Sequence, residues 1–325
     1  MTTRRQWLGW GAAAAAAAAH PAWAQTAFPA KPVSWVVPYP AGGFGDAMSR
    51  VMAQKLGQQL QQSVIVENKP GGAAQIAAQY VKQQTADGHT LLYADIGPLA
   101  MYPALYPRLS FSPLKDFAPL TRLFKSPLVL VVPQDSRFQS LADLLRAASN
   151  GEGLNYGSYG QGSQPHIWTE QLRLKTRTRM THVPYQGAAP ALQDLMAGRL
   201  DFMCDVVASS LPMVREGKLR ALVSIGSEQR LQVLPQVPTL TEAGHTDLDT
   251  PGWNGVMVRA STPAPVVQVL HKAVVAALQS SEMLGRYVPL GLEPAPLEPA
   301  AFGDFIRSET QRWGTAIRNA GIQLE

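Results

Sequence analysis

The segment Val36-Val37-Pro38-Tyr39-Pro40-Ala41-Gly42-Gly43-Phe44-Gly45-Asp46 is the strongest indication of fold class in this 325-residue chain. The apolar run that it ends, residues 33–37, is typical of a buried strand, and apolar residues recur at helical spacing from Met48 onward. A glycine-rich turn from a strand into a helix is the repeating unit of α/β folds. Because the first N–H groups of such a helix lack partners and carry partial positive charge, the turn predicts an anion site made of backbone amides.

Asp46 places a carboxylate beside this predicted anion site. We interpret it as the N-cap of the helix, whose side chain accepts from the second or third helical amide and leaves the upstream loop amides for a ligand. The alternative is direct contact with an amino group of the ligand. The position at the helix start favours the N-cap role.

A second glycine-rich turn, residues 155–163, again follows a strand and precedes a helix, and Ser158 and Ser163 add hydroxyl donors to it. Its sequence lacks the G-x-G-x-x-G spacing and an acidic residue about 20 positions later, which disfavours a dinucleotide site. No Gly-Lys-Ser/Thr follows it, and the histidines and the cysteine show no metal-ligand spacing. We therefore expect neither a cofactor nor a metal.

The remaining chain alternates short apolar runs with helical patterns, which predicts two lobes, each a mostly parallel sheet flanked by helices. Residues 25–125 and 228–325 are assigned to lobe 1 and residues 126–227 to lobe 2. Ser140 with Asp143 predicts a capped helix start in lobe 2. Residues 98–119, rich in proline and aromatic residues, show no period and are predicted to form a long ordered loop. An amphipathic C-terminal helix is expected to pack on lobe 1 and close the chain.

The N-terminal segment predicts export. Arg4 and Arg5 precede an apolar run, and Ala22-Trp23-Ala24 offers a small-x-small cleavage site, so residues 1–24 are interpreted as a signal peptide cleaved after Ala24. The paired arginines also resemble a twin-arginine signal, and the export route stays open. A membrane anchor is the alternative, but the apolar run is shorter than the roughly 20 residues that span a bilayer. We expect a periplasmic protein.

Charge and motifs exclude several classes of function. Residues 1–24 contain two arginines and no acidic residue, so their removal lowers the net charge from +5 to +3, with the remaining cations scattered. This pattern argues against a nucleic-acid partner. No Gly-x-Ser-x-Gly or His-Glu-x-x-His motif occurs, and Cys204 is interpreted as a small buried hydrophobe. We expect no enzymatic activity, for which only Asp205, His166 and Ser158 are candidates.

Ordered motifs along nearly the whole mature chain carry a family resemblance. They are PYPAGG at 38–43 with Asp46 and Arg50, VENKPG at 66–71, DGHTLL at 87–92, KDF at 115–117, NYGS at 155–158, GQGS at 160–163 with His166, HVPYQG at 182–187, LPQVPT at 234–239 with Glu242 and Gly244, and Trp253. The chain resembles the Bug family, also called the TctC family, the extracytoplasmic receptors of tripartite tricarboxylate transporters.

The resemblance implies a two-lobed periplasmic binding protein of the Venus-flytrap, type II-like form that captures a small carboxylate and passes it to a membrane permease. We expect the protein to be a monomer. With the residue patterns the resemblance predicts ligand contacts at Tyr39, Ala41, Gly42, Gly43, Phe44, Gly45, Asp46, Gly71, Gly72, Ala73, Ser158, Gly160, Gly162, Ser163, His166, Tyr185, Gly187 and Asp205. For His166 a helix-surface or interface position stays open. A sensor subunit for a membrane signalling kinase and a hydrolytic enzyme in the same cleft are the alternative functions.

Two departures from the family pattern bear on the ligand. Residues 73–77, AAQIA, replace a more glycine-rich stretch, and Phe44-Gly45 stands where relatives often have small polar residues. We expect Phe44 to narrow the pocket or to contact an apolar or aromatic part of the ligand.

Overall fold

A computed structural model describes residues 28–324, which form two α/β lobes around two sheets. The predicted signal peptide lies outside the described residues. Within residues 28–324, no helix combines the length and the apolar character needed to cross a membrane. The two-lobed α/β architecture predicted from the alternating patterns is confirmed.

The strands and helices alternate along the chain as the sequence predicts. In chain order they are β1 (Val33–Val37), α1 (Phe44–Leu60), β2 (Val64–Asn68), α2 (Gln75–Gln83), β3 (Thr90–Asp95), α3 (Tyr102–Leu105), α4 (Pro113–Asp116), β4 (Phe117–Ser126), β5 (Leu128–Pro133), α5 (Leu141–Ser149), β6 (Leu154–Ser158), α6 (Gln164–Thr176), β7 (Met180–Pro184), α7 (Ala188–Met196), β8 (Phe202–Val206), α8 (Val207–Arg215), β9 (Leu219–Ile225), β10 (Gly252–Arg259), α9 (Ala264–Leu278), α10 (Ser281–Tyr287), β11 (Glu293–Pro294) and α11 (Pro299–Ala320).

Both sheets are mixed rather than mostly parallel. The lobe 1 sheet has the order β11-β4-β10-β3-β1-β2, with β1 parallel to β2 and β3. The lobe 2 sheet has the order β7-β6-β8-β5-β9, with β6 parallel to β7 and β8. Most antiparallel pairs involve β5 or β10, which are the first strands after the chain crosses between lobes, and the short β11 adds one more antiparallel pair with β4. Each lobe therefore combines parallel βα units with antiparallel pairs, most of which involve the crossing strands.

The two crossings set the boundaries between the lobes. The first lies at Pro127, between β4 and β5, close to the predicted boundary at residue 126. The return, between β9 and β10, differs from the predicted boundary at residue 228, because Leu231, Leu234 and Val237 pack in a core cluster of lobe 2. These residues sit in an irregular segment without periodicity, so the sequence alone does not assign them to a lobe.

The segment predicted as a long loop, residues 98–119, is instead largely helical. A π-helical turn at Gly97–Met101 runs directly into α3, and α4 precedes β4. Proline occupies the first or second position of each of these three turns. At that position proline starts a helix rather than breaking it, since the missing N–H would have no intrahelical partner.

Helix α11 contacts both lobes rather than lobe 1 alone. It packs against β4 in lobe 1 and against α6 in lobe 2. Its Glu309 is buried, and the Oε2 atom accepts hydrogen bonds from the indole N–H groups of Trp253 at 3.0 Å and Trp313 at 3.2 Å. The bonds satisfy two buried donors at the point where β10 returns to lobe 1, which stabilises the connection between the lobes.

Candidate functional site

A cavity of about 710 Å³ opens between the two lobes. Its volume lies within the range of small-molecule sites. The lining residues come from both sheets and from the crossing segments: Tyr39, Pro40, Gly43, Phe44, Gly45, Tyr93, Asp95, Ile96, Gly97, Met101, Tyr102, Tyr106, Ser126, Tyr159, Gly160, Gln161, Gly162, Ser163, Gln164, Pro165, Gln186, Gly187, Ala188, Val206, Ala208, Ser209, Gly252, Trp253 and Asn254.

Four helix N-termini meet at this cavity. Gly43 to Gly45 start α1, residues 163–165 start α6, Gly187 and Ala188 start α7, and Ala208 and Ser209 lie in the first turn of α8. The first amides of each helix lack intrahelical partners and carry partial positive charge. Their convergence gives the cavity an anion-binding character that does not depend on basic side chains.

Gly43 and Gly45 let the α1 turn lie close to the cavity. A Cβ atom at Gly45 would lie 3.1 Å from Cε1 of Tyr93 and 3.2 Å from Cδ2 of Tyr39, so a larger residue there would push both rings. Phe44 is 43% exposed and packs edge-on against Tyr287 with ring centroids 6.2 Å apart. Phe44 lines the cavity, and the expectation that it narrows the pocket or contacts an apolar or aromatic part of the ligand stays a prediction.

The structure corrects the predicted role of Asp46. The N-cap of α1 is Gly43, and Asp46 lies in the first helical turn, where its Oδ2 accepts from the upstream amide of Gly42 at 2.9 Å. Its carboxylate also accepts from Arg50 and from Asn68 Nδ2. The hydrogen bonds from Arg50 and Gly42 lower the pKa of Asp46 to about 2. The Gly42 amide is therefore held by Asp46 rather than left for a ligand.

The second glycine-rich turn is held by its own side chains. The Ser158 hydroxyl donates to the Gly160 carbonyl at 3.0 Å and accepts from the Gly160 amide at 3.1 Å. Ser163 Oγ donates to the same carbonyl, and His166 Nδ1 accepts from the Gly162 amide at 3.0 Å. Gly160 and Gly162 have φ of +128° and +77°, which glycine adopts without strain. Ser158 and His166 thus stabilise the turn through hydrogen bonds and lie outside the cavity lining, whereas Ser163 belongs to the lining.

Asp205 lies behind the cavity wall rather than in it. It is fully buried, and Tyr159, whose ring lines the cavity, donates its hydroxyl to Asp205 and accepts from the Val206 amide at 2.8 Å. Burial raises the pKa of Asp205 to about 7, although the hydrogen bonds from its neighbours oppose the rise. The contact fixes the orientation of the Tyr159 ring.

About half of the residues predicted as ligand contacts line the cavity. Those that line it are Tyr39, Gly43, Phe44, Gly45, Gly160, Gly162, Ser163 and Gly187. Those that lie outside its lining are Ala41, Gly42, Asp46, Gly71, Gly72, Ala73, Ser158, His166, Tyr185 and Asp205. In the latter set, Gly71 to Ala73 form a left-handed turn before α2, and the Tyr185 hydroxyl donates to Asp194 at 2.8 Å. These positions stay predictions as ligand contacts.

Several cavity residues were not predicted. Tyr93 and Asp95 end β3, and Asn254 lies near the start of β10, where it is buried with no donor to its Oδ1. Gln164 approaches Gly252 so closely that a Cβ there would lie 2.7 Å from the Gln164 side-chain oxygen. The signal for the β3 residues was present, because ligands of α/β sheets bind beyond the carboxyl ends of adjacent parallel strands.

A serine and a histidine also form a close, partly buried pair. Ser158 Oγ lies 2.7 Å from His182 Nε2, and the His182 ring stacks on His166 with centroids 3.8 Å apart. Ser158 is fully buried and lies outside the cavity lining, so its hydroxyl does not face a ligand there. All three candidates for catalysis, Ser158, His166 and Asp205, lie behind the cavity wall. Among residues 28–324, no group of three or more metal-ligating side chains is assembled.

The buried histidines predict acid sensitivity. Burial, followed by repulsion from His182, lowers the pKa of His166 from 6.5 to about 4. In the unfolded chain His166 therefore binds a proton near pH 6.5, whereas in the folded chain it stays neutral until about pH 4. The free energy of unfolding consequently falls as the pH drops from about 6.5 to 4. We expect a loss of roughly 2 kcal/mol from His166, since one pKa unit corresponds to about 1.4 kcal/mol and partial exposure screens the effect.

Chemical denaturation of the wild type and of His166→Asn between pH 7 and pH 4 measures this loss. Asparagine offers an acceptor for the Gly162 amide without titrating, so the variant should show a shallower decline of stability. His182, whose pKa burial also lowers, remains in both proteins, so the variant should retain the part of the decline that comes from His182. Parallel pH profiles for the two proteins would contradict the prediction.

The fold and the site define the class of protein. Two α/β lobes that enclose a cavity lined by helix N-termini are the architecture of a periplasmic solute-binding protein. The profile of the family described as "Tripartite tricarboxylate transporter family receptor" matches residues 48–322. The chain belongs to this family, TctC, and the resemblance drawn from the sequence motifs is confirmed.

Similar proteins span nearly the same length. One relative, the "UPF0065 protein in tcbD-tcbE intergenic region" of Pseudomonas sp. (strain P51), is 36% identical over 293 residues, covering 90% of this chain and 87% of the relative. The structure "R. palustris Rpa4515 with adipate" superposes with a TM-score of 0.81 at 32% identity, covering 91% of this chain and 99% of that chain. "MatC (Rpa3494) from Rhodopseudomonas palustris with bound malate" superposes with a TM-score of 0.76 at 31% identity, covering 89% and 100%.

Proposed function

We propose that the chain captures a small carboxylate in the cavity between its lobes and delivers it to the permease of a tripartite tricarboxylate transporter. The observation that carries the proposal is the convergence of the α1, α6, α7 and α8 N-termini on one cavity. A carboxylate there accepts hydrogen bonds from amides that have no helical partner. Two relatives with the same fold are described with adipate and malate, which are small dicarboxylates.

The proposal includes export to the periplasm. Residues 1–24 carry the features of a cleaved signal peptide, with Arg4 and Arg5 before an apolar run. Membership of a receptor family of transporters is consistent with this location. N-terminal sequencing of the periplasmic protein is expected to begin at Gln25, and a mature chain that retains residues 1–24 would contradict it.

A bound ligand supports closure of the two lobes. Contacts from α1 in lobe 1 and from α6, α7 and α8 in lobe 2 are made together only when the lobes enclose the ligand, so the ligand stabilises the closed form. The wall of the cavity supports binding rather than catalysis, since neither Ser158 nor His182 belongs to its lining. A membrane partner then has a ligand-dependent shape to recognise.

Small carboxylates are expected to stabilise the protein against heat. A ligand that binds only the folded chain adds about 2.7 kcal/mol to the free energy of unfolding at 100 times its Kd. A thermal-shift screen over di- and tricarboxylates, amino acids and aromatic acids measures the effect, with the corresponding amides as matched uncharged controls. The proposal requires a rise in Tm with at least one acid and not with its amide. If no acid in the screen raises the Tm, the proposed function is wrong.

A further inference from the structure

Asp95 is the one charged side chain among the described residues that line the cavity. The same lining contains no Lys, Arg or His side chain in residues 28–324. A receptor that binds only an anion gains nothing from a carboxylate in its binding cavity, since two like charges repel in a site sheltered from water. The position of Asp95 therefore requires an explanation in terms of the ligand.

The surroundings of Asp95 offer it hydrogen bonds but no cation. It ends β3, and its Oδ1 accepts from the Gly97 amide at 3.0 Å. Burial raises the pKa of the carboxyl, and hydrogen bonds from Tyr39 and Gly97 offset the rise only in part. No basic side chain contributes to this balance. A half-buried carboxylate without a cationic partner is unfavourable, so a cation supplied by the ligand would complete the site.

Aromatic rings surround the same region. Tyr39, Tyr93, Tyr102 and Tyr106 line the cavity from lobe 1, and Tyr159 lines it from lobe 2. The faces of such rings carry partial negative charge and attract ammonium groups within about 6 Å. A carboxylate and a group of tyrosine rings are together the chemistry that recognises a positively charged nitrogen.

We propose that this cavity selects carboxylates that also carry an ammonium or another cationic nitrogen group, and that Asp95 pairs with that group. The helix N-termini hold the carboxylate end, and Asp95 with the tyrosine rings holds the cationic end. Such a zwitterion neutralises both halves of the cavity, whereas a dicarboxylate adds charge of one sign to it. The inference rests on the proposed function and names the class of ligand for that site.

Isothermal titration with matched pairs of acids tests the inference. The pairs are aspartate and succinate, glutamate and glutarate, and 6-aminohexanoate and adipate. The wild type is expected to bind the amino member of at least one pair at least tenfold more tightly than its partner. Asp95→Asn should weaken the amino member at least tenfold and leave the partner equal or stronger, because asparagine keeps the acceptor for the Gly97 amide but removes the charge.

Asp116→Asn is the matched control. Asp116 also accepts from a backbone amide, that of Ser112 at 2.8 Å, and it lies outside the cavity lining. This variant should bind both members of each pair as the wild type does. If Asp95→Asn does not fold, the wild-type comparison within the pairs decides the question alone.

The outcomes separate the two proposals. Equal affinities within every pair, or stronger binding of the amine-free acids by the wild type, would overturn the role of Asp95. The same follows if Asp95→Asn weakens both members of a pair equally, since Asp95 would then support the cavity without pairing with the cationic group. Absence of binding by every acid, in agreement with a negative thermal-shift screen, would refute the proposed function itself.

Discussion

Gly43→Val is expected to lower the affinity for a carboxylate on the order of 100-fold, about 2.7 kcal/mol, with little change in the stability of the fold. Gly43 is the N-cap of α1 and lines the cavity, so a valine side chain there occupies the space that the carboxylate needs to reach the first helical amides. Those amides are the principal contacts that lobe 1 offers to an anion in the proposed function.

The backbone at Gly43 accepts the substitution. Its φ of −77° and ψ of 171° are extended values that β-branched residues adopt readily. A Cβ atom at Gly43 would meet only the Pro40 carbonyl oxygen, at 3.7 Å, which is ordinary van der Waals contact. Valine is a weaker N-cap than glycine, but the glycine makes no side-chain cap bond, so the cost in stability should stay below about 1 kcal/mol.

Gly153→Val provides the control for this experiment. A Cβ atom at Gly153 has no neighbour within 4 Å, and the residue lies outside the cavity lining. This variant should retain full affinity in the titration that measures Gly43→Val. Equal affinity of Gly43→Val and the wild type would mean that the carboxylate does not bind at the α1 turn. A large fall in the Tm of Gly43→Val would mean that the loss of affinity reflects the fold.

The sequence determined the strand–turn–helix units well because each has a strong local signal. The turn before α1 combines an apolar run, three glycines and a helical period, and Ser140 and Asp143 form the predicted capped start of α5. Local patterns of this kind are set by residues close in sequence, and tertiary packing leaves them unchanged. The family motifs lie mostly in such units.

The sequence was a weaker guide to which side chains line the cavity. Asp95 and Asn254 face one cavity because β3 and β10 pair in the sheet, a contact between residues about 160 positions apart. Ser158, His166 and Asp205 carry the chemistry expected of ligand contacts, but burial places them behind the wall. A sequence motif indicates that a residue belongs to a turn. Only the tertiary packing shows whether its side chain lines the cavity or is buried behind the turn.

Asp46 shows why a helix start is hard to locate within one turn. Acidic residues are favoured both at the N-cap and in the first turn, because each position lies near unpaired amides and the positive end of the helix. The sequence could not distinguish the two, and the helix begins two residues before Asp46. The difference matters, since Asp46 then holds the Gly42 amide and fixes the turn instead of capping the helix.

Asp46→Ala is expected to cost roughly 2 kcal/mol of stability at pH 7, because a buried carboxylate that accepts from Gly42, Arg50 and Asn68 is lost. Asp143→Ala is a matched control, since Asp143 stands at the same position of α5, three residues after the N-cap, and is partly exposed. The control should cost clearly less than Asp46→Ala. Urea denaturation of the three proteins measures both values.

The dependence on pH identifies the charge of Asp46 as the cause. Because its pKa is lowered from 3.8 to about 2 in the folded chain, its contribution is fully present above pH 4 and is lost as the pH falls toward 2. The stability difference between the wild type and Asp46→Ala should therefore narrow between pH 4 and pH 2. Asp46→Asn keeps one acceptor without the charge, so it should cost less than alanine and show the same narrowing. A difference that stays constant over this range would mean that Asp46 acts through shape rather than charge.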